Sequence, residues 1–198
     1  MAKKKKPRAE RKWRYRRMPR ADFLRSVAGR LRNDVGPYFE TIRAEYCRTR
    51  TGIGFWALAR MIFPVVEAVA SVIYRTGRTR RGPRERPPVR LLRELGFEYP
   101  NLVWEMYRHT LMHNDEMASA SYQGRVVTWG IRVGEGHHCS NGRLWIDAEQ
   151  LYTDLLAFLD REATAPGSSR VWVKESFRFN TAFSRVTRDE MLRLGARP

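Results

Sequence analysis

The sequence predicts an α+β protein, with an all-α helical bundle followed by a small αβ appendage. Three observations carry this. Apolar residues recur at helical spacing across residues 21–117. After Ala118 the pattern changes to short β-rich runs divided by glycine. Hydrophobic residues make up 42% and aromatics 12% of the 198 residues, enough for a core and incompatible with a wholly disordered chain. The organisation expected is a basic disordered arm (residues 1–20), a helical bundle (21–117, interrupted by an Arg-rich loop at 76–88) and an αβ C-terminal portion (118–198) packed on the bundle.

Residues 1–20 are basic and carry two aromatics, Trp13 and Tyr15, among Arg11, Lys12, Arg14, Arg16 and Arg17. Residues 21–50 read as helix through Phe23, Leu24, Val27 and Leu31, with Pro37 starting a second piece that carries Phe39, Ile42 and Tyr46. Thr51-Gly52 breaks the chain. Ile53 to Tyr74 is a long helix, apolar nearly all round, which predicts a position at the centre of the bundle. Pro64 is expected to kink it near Arg60. The stretch is long enough to span a bilayer, but Arg60, Glu67 and Pro64 favour a buried helix over a membrane helix. Leu91, Leu92 and Leu95 make a short helix ending at Gly96. Pro100-Asn101 opens another, with Leu102, Met106 and Leu111 among its apolar positions.

Arg125–Ile131 and Arg143–Ile146 read as a β-hairpin around the long loop GEGHHCSNG. Asp147 then opens an amphipathic helix with Leu151, Tyr152, Leu155, Leu156, Phe158 and Leu159 on one face. Arg170–Phe179 reads as a C-terminal strand. A capping box at Thr187-Arg188-Asp189-Glu190 precedes a short helix.

The net charge is +17. Residues 1–20 contribute +10 and residues 75–90 contribute +6, which leaves the remaining chain close to neutral. Two cationic segments on a neutral body favour polyanions. The nucleic-acid-binding candidates are Lys3, Lys4, Lys5, Lys6, Arg8, Arg11, Lys12, Trp13, Arg14, Tyr15, Arg16 and Arg17 in the arm, and Arg78, Arg80, Arg81 and Arg84 in the loop. Cations neutralise phosphates and the rings stack on bases; the plainer alternative is a solvated tail. Two cysteines, Cys47 and Cys139, make no disulfide framework and fit a reducing, cytoplasmic setting. The basic start has no apolar run after it and does not read as a secretory signal.

The most informative string is Arg108-His109-Thr110-Leu111-Met112-His113, late in the predicted bundle. Histidine exchanges a proton near neutral pH, and arginine binds phosphate through two parallel hydrogen bonds. Together they supply what RNA cleavage by its own 2′-hydroxyl needs, without a metal or other cofactor. The string resembles the signature of the HEPN superfamily, the higher eukaryote and prokaryote nucleotide-binding domains: Arg, a polar residue, three residues, His. Arg108, His109 and His113 match its defined positions, and the resemblance covers roughly residues 20–116.

The resemblance implies a HEPN-like bundle and a metal-independent endoribonuclease of the toxin or antiphage-defence type. It also implies a homodimer whose two motifs form one composite site, with a cognate antitoxin as a further partner. Arg108 would stabilise the phosphate, His113 would act as general base or acid, and His109 would help or orient. Glu67 and Arg60 are supporting candidates, Glu67 orienting Arg108 and Arg60 adding a phosphate contact; the structural alternative is that each pairs at the rim.

Two competing readings use the same residues. Glu105, His109 and His113 share a helix face at metal-ligand spacing, with His137, His138 or Cys139 completing a set. A non-catalytic RNA- or ribosome-associated protein would use the arm and loop for affinity alone.

Overall fold

The computed structural model describes residues 17–49, 54–74, 85–107, 119–140 and 142–174. Its elements are β1 (Arg17–Pro19), α1 (Arg20–Arg30), a π-helical turn (Leu31–Val35), α2 (Gly36–Thr49), α3 (Phe55–Ile73), α4 (Pro87–Glu94) and α5 (Pro100–Met106). They are followed by β2 (Ser119–Tyr122), β3 (Arg125–Arg132), β4 (His138–Ser140), β5 (Arg143–Asp147), α6 (Ala148–Thr164), a 3-10 turn (Ser168–Arg170) and β6 (Trp172–Lys174). The fold is mixed helix and strand. One hydrophobic cluster runs from Leu24 on α1 through α3, α4 and α5 to Trp129 on β3, Ile146 on β5 and Leu155 on α6.

The end of the expected arm is structured. Arg17–Pro19 pair antiparallel with Trp172–Lys174, and the backbone N–H of Arg20 donates to Val171 at 2.6 Å. Met18 faces Val173, so the strand closes over an apolar contact rather than trailing into solvent. Residues 175–198, which include the end of the predicted strand and the capping box, lie outside the described residues.

The first helical stretch bends through a π-helical turn. Tyr152 on α6 reaches across it, donating its hydroxyl to the Leu31 carbonyl at 3.4 Å and stacking on Phe39 at 5.3 Å. A Cβ at Gly36 would sit 2.9 Å from that hydroxyl, so glycine leaves room for the tip of the Tyr152 side chain.

α3 departs from the sequence expectation. It buries Phe55, Leu58, Ala59, Ile62, Phe63, Val66, Val69 and Ala70 against α1, α2, α4, α6 and β3. Ala57, Arg60, Pro64, Glu67 and Ser71 are exposed. Their spacing alternates three and four, which is one stripe of a helix. The helix is therefore not buried all round, and Arg60 and Glu67 reach water. It remains long and apolar enough to cross a membrane by length and composition.

Prolines 87 and 88 are the first two residues of α4, where a missing N–H costs nothing. The helix ends in a Schellman motif. Gly96 takes φ +84°, its N–H donates to Arg93, and the N–H of Phe97 donates to Leu92. Phe97 is thereby turned inward to a buried position.

The predicted hairpin is replaced by a crossing. β3 and β5 pair in parallel, Gly130 opposite Trp145. β4 pairs antiparallel with β5 on its far side, and β2 pairs antiparallel with β3, giving the order β2-β3-β5-β4. A parallel pair needs a crossover. Here residues 133–137 pass over the C-terminal end of β5, and β4 returns along the sheet edge. The hairpin that does form nearby joins β2 to β3 through Gln123 (φ +47°) and Gly124 (φ +75°), the paired positive angles of a type I′ turn.

Candidate functional site

The motif residues Arg108, His109 and His113 lie outside the described residues, as do Lys3 through Arg16 of the arm and Arg78, Arg80, Arg81 and Arg84 of the loop. The helix that leads into the motif is described. Trp104 and Tyr107 are buried. Tyr107, immediately before Arg108, stacks on Phe63 of α3 at 4.4 Å and tilts against Trp104 at 5.2 Å. Burial, with the nearby Glu67 carboxylate adding to it, pushes the Tyr107 phenol up to about 12. Glu67 is thus close enough to be felt by the residue preceding the motif.

The described arginines bordering the loop already have partners. Arg86 pairs with Glu105, Arg93 with Glu85, and Arg90 with Glu94 at 3.5 Å while lying 4.3 Å from the Tyr74 ring centroid. Glu105, one ligand of the metal reading, is therefore held by Arg86. Among the described residues no group of three or more His, Cys, Asp or Glu could hold a metal ion. Arg17 is exposed on β1.

The structure does bring together a polar site that the sequence reading did not assemble. Its hub is Asp147, the last residue of β5 and the N-cap of α6, buried to 1% exposure. One carboxylate oxygen accepts the N–H groups of Glu149 and Gln150, which capping requires. The other accepts those of Glu135 and Gly136, each at 2.7 Å. The crossing loop is thus fastened to the strand end it passes over. Gln150, at the third helical position, accepts from the His137 backbone N–H at 2.9 Å instead of reaching back to the cap. The Asp147 N–H donates instead to Nδ1 of His137 at 2.9 Å.

That bond fixes the histidine. Nδ1 accepts, so the neutral ring carries its proton on Nε2. Among the described residues nothing partners that buried nitrogen. The ring stacks on Phe97 at 3.9 Å, which joins α4 to the loop. Burial, with Arg132 acting in the same direction and Asp147 opposing, lowers the His137 pKa to about 4. At neutral pH it is an uncharged structural ring, not a phosphate-binding cation.

Arg132, at the end of β3, is clamped by the same loop. It donates to Glu135 at 2.7 Å, to the Gly136 carbonyl at 3.1 Å and lies 2.8 Å from Nε2 of His138. Arginine only donates, so in that hydrogen bond the His138 nitrogen is the acceptor. Beside it Trp145 lies across Gly130, where a Cβ would meet the indole at 2.6 Å. The Arg143 guanidinium stands 4.2 Å from the Trp145 ring centroid and that of Arg132 5.2 Å. Both distances are within cation–π range.

Asp147 was legible as a helix start, but its second role was not. Arg132, Arg143 and Trp145 were missed. The alternation Thr128-x-Gly130-x-Arg132 and Arg143-x-Trp145 was a signal that each strand has a polar face. No family model matches the chain, and neither a curated protein nor a solved structure matches it.

Proposed function

We propose that this protein binds RNA and cleaves it without a metal. The observation that carries the reading is the string Arg108-His109-x3-His113 directly after Tyr107, a residue clamped in the core between Phe63 and Trp104. Its support is the +17 charge concentrated in two segments that flank neutral sequence. In this reaction the 2′-hydroxyl oxygen attacks the adjacent phosphorus and the 5′-oxygen leaves. The products are a 2′,3′-cyclic phosphate and a 5′-hydroxyl. His113 takes or returns the proton, Arg108 neutralises the charge that builds on the phosphate oxygens, and His109 orients them. In this reading Glu67, exposed on α3 and felt electrostatically by Tyr107, would orient Arg108.

The same reading takes the chain as a cytoplasmic homodimer of toxin or defence type, its two motifs meeting in one cleft and a cognate antitoxin restraining it. Incubating the purified chain with labelled RNA in chelator tests it. Fragments ending in cyclic phosphate are expected, and intact RNA that is merely retarded on a gel contradicts cleavage. That second result is the mark of a non-catalytic RNA-binding protein, a reading supported by the cationic aromatic face around Trp145, where Arg143 and Arg132 lie over the indole.

A further inference from the structure

The four-stranded sheet has two unlike faces. Its inner face buries Trp129, Ile131, Leu144 and Ile146. Strand alternation puts Val126, Thr128, Gly130 and Arg132 of β3, Arg143 and Trp145 of β5, and His138 of β4 on the opposite side. Val126 is 58% exposed, Arg143 and His138 are exposed, and Trp145 is half-buried. Two acids at the end of this sheet, Glu135 and Asp147, are already committed. Glu135 pairs with Arg132, and both oxygens of Asp147 accept backbone N–H groups. Arg143 leans on the indole ring instead of on a carboxylate.

We propose that this sheet face holds single-stranded RNA, a base stacking with Trp145 and its backbone phosphate meeting Arg143. The chemistry argues for an unpaired strand. The Arg143 guanidinium over the indole is both a stacking plane for an exposed base and a phosphate donor, and the ring beneath it is open to a base when that side chain turns to the backbone. A duplex keeps its base faces hidden. Gly130 leaves the room that the indole occupies, since a Cβ there would meet it at 2.6 Å. The Asp147-bound loop holds Arg132 through Glu135 and the Gly136 carbonyl, so Trp145 and Arg132 are in place before the strand arrives. The inference rests on the RNA-binding reading above for its choice of polyanion, and it adds a surface about which the Arg108–His113 motif says nothing.

The experiment is binding of a fluorescent 12-nucleotide oligouridine to the full chain, with the same length of duplex RNA and anionic phospholipid vesicles as comparison probes. Trp145→Ala should weaken oligouridine binding by about tenfold, and Trp145→Phe, which keeps a ring, should weaken it by about threefold or less. Arg143→Gln, a surface change that leaves the core alone, should flatten the slope of log affinity against log salt by about 0.7. It carries the test if Trp145→Ala fails to fold. Arg93→Gln, whose side chain is already paired with Glu85, should leave the slope unchanged.

Wild-type affinity in Trp145→Phe, Trp145→Ala and Arg143→Gln together would overturn the proposal whether or not the chain cuts RNA. Equal affinity for duplex and single strand would overturn it too, as would binding to vesicles but not to oligouridine. Loss of binding in the sheet variants of a chain that never cuts RNA would support this surface and reject the cleavage reading.

Discussion

The arginines in and just before α4 and those of the outer sheet face share a side chain and differ in what they are spent on. Arg86, Arg90 and Arg93 each meet a carboxylate at the protein surface. Such pairs contribute about 0–1 kcal/mol, and their charge is cancelled before any ligand arrives. On the sheet, Arg143 faces an indole ring, and the acids nearby are engaged elsewhere. Net charge therefore says little about where a polyanion binds. The Arg-rich composition of residues 75–90 overstates its own described end, while an arginine that no charge run announces stands over the Trp145 ring.

The sheet arrangement depends on its loop, and the largest effect should come from removing the hub. Asp147→Ala would leave four backbone N–H groups without their acceptor. A loss of about 3–5 kcal/mol is expected in urea unfolding. Asp147→Asn, which keeps one acceptor oxygen, should lose roughly half as much. Full stability in Asp147→Ala would mean that the crossing loop holds itself.

The same loop should carry a pH signature. The His137 pKa falls from 6.5 to about 4 on folding, so between those values the unfolded chain binds a proton that the folded chain does not. Stability is complete above pH 6.5, declines as pH falls toward 4, and loses nothing further from this group below that. The total is about 3 kcal/mol. The difference between wild type and His137→Gln across that window isolates it, and parallel curves would show that the ring charges freely in the folded state.

The arm is the next lever. Removing residues 1–16 deletes nine basic side chains but leaves β1 intact. If half of them touch phosphate, the salt slope of RNA binding flattens by about 3 units. An unchanged slope makes the arm a solvated tail. The smallest effect sharpens the opening contrast: Arg86→Gln should change RNA affinity by less than about twofold, because its charge is already matched by Glu105.

Local signals in the sequence were good guides where one element decides its own shape. The apolar face of α6, the glycine stop at Gly96 and the start of α6 at Asp147 are all in place. The stripe of Ala57, Arg60, Pro64, Glu67 and Ser71 was equally readable, but the mean hydropathy of the surrounding residues hid it. What could not be read was pairing. Whether Arg125–Ile131 meets Arg143–Ile146 antiparallel or parallel turns on β4, a strand of three residues that is too short for a period to show. The outer face around Trp145 exists only once Gly130 lies opposite it, a relation across strands that no local window contains. The motif itself was legible as residue types and spacing alone. The helix before it ends with Tyr107 in the core, and the motif residues lie outside the described residues.

The most direct test of the central claim is cleavage by the His113→Ala variant. Wild-type chain in chelator should convert end-labelled RNA to fragments ending in 2′,3′-cyclic phosphate, and His113→Ala should bind the same RNA with unchanged affinity while producing none. Arg108→Lys should recover little, because lysine lacks the two-pronged donor. Cutting by His113→Ala at the wild-type rate would contradict the account.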